Sequence, residues 1–128
     1  HNGGIGAAQM LWLAEKLGDA TRAGENVILL SHPPVSCMQN SHEVLRLLAK
    51  SPCVRMGIYG HQHSGTFQHD QKTGIYHVTL RACLCIPPGS PQSGREARGG
   101  RGALLSLFGD RIELTYLGSK DHFMKCRF

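Results

Sequence analysis

The sequence predicts an α/β fold in which strands and helices alternate along the chain. Two short apolar runs, Asn26 to Leu30 and Val54 to Tyr59, have strand length and β-branched or aromatic content, and each stops at residues that end a strand. Between them, His42 to Lys50 carries Val44, Leu45, Leu47 and Leu48 at helical spacing for packing against a sheet, with Ser41 placed to cap it. A strand, helix, strand order of this length favours two neighbouring parallel strands joined right-handedly. Both strands then release their loops at one edge of the sheet, the carboxyl edge, where open α/β sheets hold ligands.

The remaining elements follow in order. Gly3 to Gly6 reads as a turn. Ala7 to Leu17 reads as a helix with Met10, Leu13, Ala14 and Leu17 on its apolar stripe, Gly18 as its stop and Trp12 as a packing residue. Ser36 to Asn40 is a loop. Thr66 to His69 and Ile75 to Leu80 flank the polar, glycine-ended stretch Asp70 to Gly74, which suits an antiparallel hairpin. Pro87 to Gly102 is rich in Pro, Gly, Ser and Arg and reads as a flexible loop carrying the cations Arg95, Arg98 and Arg101. Ala103 to Phe108 and Arg111 to Leu117 form a hairpin over Gly109-Asp110, with Ile112, Leu114 and Tyr116 on one face. Ser119 to Phe128 is too short and mixed to assign.

Composition bounds the rest. The 128 residues allow one domain with a modest core. No run of about 18 apolar residues supports a membrane-spanning helix. Five cysteines, Cys37, Cys53, Cys83, Cys85 and Cys126, are an odd number without metal-finger spacing, so free thiols in a reducing, cytoplasmic setting are expected. Cys83 and Cys85 alternate along a further strand and read as packing groups. His1 to Gly6 shows no basic region followed by an apolar stretch, so no signal peptide is visible. Gly3-Gly4-Ile5-Gly6 lacks the Lys-Ser/Thr pair of a phosphate-cradling P-loop.

Histidine placement carries the chemistry. His32 follows the first strand and precedes Pro33-Pro34, and the second strand ends in Gly60-His61-Gln62-His63. Residues two apart in an extended segment project to one side about 6 to 7 Å apart, so His61 and His63 are spaced to reach different ions of a pair about 3.5 to 4 Å apart. The crossover brings His32 beside them. Gly60 and Gly65 give the backbone room to turn around the pair. His77 reads as a structural histidine, His42 and His69 as solvated, and His122 lies in the unassigned tail.

These segments resemble a known family. Asn26 to Val35 and Gly57 to Gly65 are similar to the last two motifs of the calcineurin-like metallophosphoesterases, a strand-His-x-Pro followed by Gly-His-x-His. Asn2-Gly3-Gly4-Ile5-Gly6, Gln9 to Leu13 and Gly74 to Leu80 resemble the carboxyl-terminal half of the manganese-dependent ADP-ribose/CDP-alcohol diphosphatases. The resemblance runs to about Leu117, while the superfamily's Asp-x-His, Gly-Asp-x-x-Asp and Gly-Asn-His-Asp/Glu motifs are found nowhere in the sequence.

The resemblance implies that residues 1–128 are the carboxyl-terminal half of a metallophosphoesterase β-sandwich flanked by helices, supplying one of its two packed sheets. It implies two divalent ions, preferentially manganese with iron or zinc as alternatives. His32 and His61 would bind one ion and His63 the other. It further implies hydrolysis of a phosphoanhydride in a nucleotide-like substrate such as ADP-ribose or a CDP-alcohol. The missing carboxylates would come from an amino-terminal half or a second chain covering the sheet, and the isolated chain is expected to be inactive. Arg81 stands where the resembling diphosphatases tend to carry an acidic residue. Two other readings remain open: a noncatalytic interaction or RNA-binding domain using the arginines of residues 95–101, and a single zinc site at His32, His61 and His63.

Overall fold

In the computed structural model, which describes residues 3–62, 65–81, 102–117 and 123–128, two sheets and two helices form three layers. The first sheet has the order β1 (Val27–Ser31), β2 (Val54–Tyr59), β4 (Tyr76–Thr79), β3 (Thr66–His69). β1 lies parallel to β2, with Leu30 opposite Ile58 and Ser31 opposite Tyr59. β4 continues the parallel order, and β3 returns antiparallel over the Asp70 to Gly74 loop. There the Asp70 carboxylate accepts hydrogen bonds from the Lys72 amide and the Thr73 hydroxyl, and Gly74 takes φ of 74°.

Helices α1 (Ala7–Ala23) and α2 (Ser41–Ala49) cover one face of this sheet. Leu13, Leu17 and Ala20 of α1 meet Val44 and Leu48 of α2 over Val54, Tyr59 and Ile75. Fully burying a side chain such as Leu48 contributes about 1.5 to 3 kcal/mol. A bulge at the start of β2, where Val27 pairs Val54 but Ile28 pairs Met56, turns Val54 to the helices and Met56 to the opposite face.

That opposite face is covered by the second sheet, β5 (Gly102–Leu107), β6 (Arg111–Leu117) and β7 (Phe123–Arg127), all antiparallel. Met56 and Val78 pack there against Ile112, Leu114, Tyr116 and Cys126. This corrects the expectation of a single sheet with an open apolar face: the chain supplies strands of both sheets, and their inner faces cover each other. Among the described residues β1 and β3 are the unpaired edges of the first sheet, and Leu30 of β1 is 72% exposed.

Local expectations are corrected for identifiable reasons. α1 runs through Gly18 and ends at Gly24, whose φ is 68° and whose N–H reaches the last carbonyls of the helix. Burial of Ala20 and the Asp19 ion pairs with Lys16 and Arg22 outweigh the roughly 1 kcal/mol cost of an interior glycine. Trp12 and Ala14 face solvent, because the buried stripe advances to Leu13, Leu17 and Ala20. Ser41 is the first helical residue of α2 rather than its cap, and the Asn40 side chain binds the backbone of Ile5 instead. Leu45 is exposed, while Val44 and Leu48 are buried. The tail forms β7, whose buried Cys126 completes the inner face of the second sheet. His63, His122, Cys83, Cys85 and the arginines of residues 95–101 lie outside the described residues.

Candidate metal centre

The loops after β1 and β2 are tied together. The Gly60 N–H donates to the His32 carbonyl at 2.9 Å, and a Cβ at Gly60 would sit 3.2 Å from His32 Nδ1. Glycine is therefore what lets the second loop close on the first imidazole. The next residue, His61, has φ of 67°, in the left-handed region that non-glycine residues occupy at a cost of about 1 to 3 kcal/mol. The strain persists because the Gly60 bond to His32 on one side and the Gln62 N–H bond to the Gly60 carbonyl on the other define the turn.

The result is an imidazole pair. The His32 and His61 rings stand edge to face, centroids 5.5 Å apart and planes at 82°. Both side chains are exposed in the wall of a cavity of about 780 Å³ at the carboxyl ends of β1, β2 and β4, which Ser31, Gln62, Leu30, Ile58, Leu80 and Arg81 also line. Among the described residues no Asp or Glu lines it. A smaller cavity of about 310 Å³ lies against the same two histidines and is walled by Gly3, Gly4, Ile5 and Gln9. The amino-terminal turn is held there by Asn40, whose side chain accepts from the Ile5 N–H at 3.0 Å and donates to the Ile5 carbonyl at 2.8 Å. A glycine turn beside one polar side chain does not announce this role, which depends on a contact across 35 residues.

A second polar group sits on the helix-side face of the same sheet. The buried Tyr59 phenol crosses Gly57 and meets His77 Nδ1 at 2.9 Å, with the two rings nearly parallel. A Cβ at Gly57 would fall inside the phenol. Burial pushes the Tyr59 pKa up to about 12 and moves the His77 imidazole below its ordinary value, with Asp70 opposing the latter shift. Both are neutral near pH 7, and in the Nε2–H tautomer the phenol donates to Nδ1. These groups border a cavity of about 350 Å³ with Gln68, Thr66 and Asp70. A signal was present in the sequence: Gly57 and Tyr59 are two apart on one strand, so they share a face.

Of the histidines singled out in the sequence, the structure therefore brings His32 and His61 together and holds His77 apart from them, while His63 falls outside the described residues. His69 is exposed but not simply solvated, since it stacks on Tyr76 with centroids 4.0 Å apart. Among the described residues no three His, Cys, Asp or Glu side chains converge to hold an ion. Imidazoles binding a common ion at about 2.1 Å each bring their ring centres to roughly the separation observed.

Comparison with known proteins places the chain in a family. No protein-family model matches the chain. It is 38% identical over 101 residues to a manganese-dependent ADP-ribose/CDP-alcohol diphosphatase of Oryza sativa and 33% identical over 102 residues to the Arabidopsis thaliana protein of that name, in each case across 73% of this chain. A solved structure, a dimetal phosphatase from Danio rerio, superposes with a TM-score of 0.79 at 25% identity, covering 96% of this chain. The chain belongs to the metallophosphoesterase superfamily. It spans 31% and 32% of the length of those two plant relatives and 38% of the Danio rerio chain, so the metallophosphoesterase fold seen here is one part of theirs. The two segments that resemble superfamily motifs in the sequence run, among the described residues, into the loops that meet at Gly60 and His32.

Proposed function

We propose that this chain contributes His32, His61 and His63 to a two-ion centre that hydrolyses the phosphoanhydride of nucleotide-like substrates of the ADP-ribose or CDP-alcohol kind. The observation that carries the proposal is the His32–His61 pair, set edge to face by a strained turn in the wall of a cavity at the strand ends. Divalent ions, with manganese first, suit imidazole and carboxylate ligands. When bound, they would supply Lewis acidity to the phosphoanhydride and lower the pKa of water. His32 and His61 would hold one ion; the Gly60 bond to the His32 carbonyl, which ties the two loops together, supports this reading. His63 would take the other.

Imidazoles are neutral ligands and cannot offset repulsion between two dications. With no carboxylate in the cavity wall among the described residues, the 128 residues alone are expected to bind one ion weakly and to be inactive. We place the acidic ligands outside these residues, on a preceding segment or a second chain, and the β1 edge, unpaired among the described residues, is where such a segment would extend the sheet. Cys37, Cys53 and Cys126 are all free, which supports a reducing, cytoplasmic setting.

The test joins this chain to the corresponding amino-terminal segment of the Oryza sativa relative and assays ADP-ribose and CDP-choline with manganese. Hydrolysis by the joined protein, absent from the 128-residue chain and lost in His61→Ala, is the expected result. An inactive joined protein that folds would overturn the proposal.

A further inference from the structure

We propose that Arg81 makes the histidine cavity an anion site in its own right, taking the phosphoryl oxygens of a phosphoanhydride without an ion having to be present. The inference builds on the reading of this cavity as a phosphoanhydride site and names the side chain that would make first contact with the diphosphate.

Arg81 follows β4 and lines the cavity together with His32, His61 and Gln62. It forms no ion pair among the described residues, whereas Arg22 and Arg111 each pair with a carboxylate. Its position is fixed by its surroundings. A Cβ at Gly65, whose φ is 70°, would sit 2.7 Å from Arg81 Cγ, so the arginine stem packs on bare backbone. On its other side the guanidinium carbon lies 5.9 Å from the ring centre of the buried Tyr116. The stem is thus held from two directions, and ordering it on a ligand loses less entropy than ordering a free surface arginine.

The cavity suits an anion as well. Among the described residues its polar lining comes from His32, His61, Gln62, Ser31 and Arg81, with no carboxylate to compete, and Leu30, Ile58 and Leu80 lower the local dielectric. Arginine presents a planar fork of donors that matches phosphate oxygens, which an ammonium does not. A diphosphate therefore finds a fixed cation, with no ion-pair partner among the described residues, beside the two histidines that would hold an ion.

The experiment is a calorimetric titration of the 128-residue chain with inorganic pyrophosphate in EDTA at low salt. Arg81→Gln, which keeps the length of the stem, should weaken binding about tenfold or more, and Arg81→Lys should lie between it and the wild type. Arg46→Gln, an exposed arginine on α2, controls for general charge and should bind like the wild type. Should Arg81→Gln fail to fold, Arg81→Lys decides, because undiminished affinity there would mean that the fork has no role. Absence of metal-free pyrophosphate binding, or equal affinity in Arg81→Gln, overturns the proposal whatever the joined protein hydrolyses. An affinity loss in Arg81→Gln alongside an inactive joined protein would uphold the anion site and remove the enzymatic reading.

Discussion

His61 and His77 belong to adjacent stretches of one sheet and live in opposite circumstances. His61 is exposed, stands on a left-handed backbone and meets His32 edge to face in a cavity wall. His77 is half-buried on the helix-side face, stacked on Tyr59 and hydrogen-bonded to its hydroxyl. In the first case the fold strains its backbone to keep an imidazole open. In the second it removes a glycine's side chain so that a phenol can close over one. An imidazole is available to an ion when its nitrogens are left free at a strand end, and number or proximity of histidines in the sequence does not decide this.

The largest effect should come from the closed site. Gly57→Ala places a methyl group where the Tyr59 phenol lies and forces a buried ring away from His77. Overpacking together with a lost buried hydrogen bond should cost about 3 kcal/mol in urea unfolding. A cost below about 1 kcal/mol would mean that the phenol moves freely, and the contrast between the two sites would weaken.

Next comes ion affinity, which separates the sites directly. On the proposed function, His32→Ala and His61→Ala should each lower manganese affinity of the joined protein about 100-fold, while His77→Gln should leave it within about threefold. Equal losses in all three would merge the sites. A smaller effect sharpens the point about strain: His61→Gly removes the same ligand as His61→Ala but relieves the positive φ, so the glycine variant should be about 1 kcal/mol more stable than the alanine variant. If alanine is the more stable, the turn is not strained.

The two sites also differ in how far the sequence reveals them. The open pair was legible because each part of it is local: an apolar run, then His32 before Pro33, and a second run ending at Gly60-His61, with a helix between them that dictates parallel strands. The closed site depends on β2 lying beside β4, a pairing of residues that no local pattern specifies. The same reason hid the second sheet's role in covering the first, and β7, whose buried Cys126 stands between Lys125 and Arg127. Gly18 misled for a different reason. Helix interiors tolerate glycine when the turns on both sides bury apolar groups, as Leu17 and Ala20 do here.

The smallest expected effect is a pH dependence confined to the closed site. Burial holds the His77 imidazole below its ordinary value of 6.5, with Asp70 pulling the other way, and the neutral Tyr59 hydroxyl faces Nδ1. A histidine whose pKa is lower in the folded than in the unfolded chain favours folding fully above the unfolded value. As pH falls through 6.5 the unfolded chain takes up the proton first, so stability is lost until the folded value is also passed. The urea midpoint of the wild type should therefore drop between about pH 7 and pH 5.5 by more than that of His77→Gln. The ring is only half-buried, so water screens part of the effect and the difference should be modest. Parallel pH profiles for wild type and His77→Gln would show that His77 is as open as His61, and the distinction between an imidazole held for the fold and one held for an ion would fail.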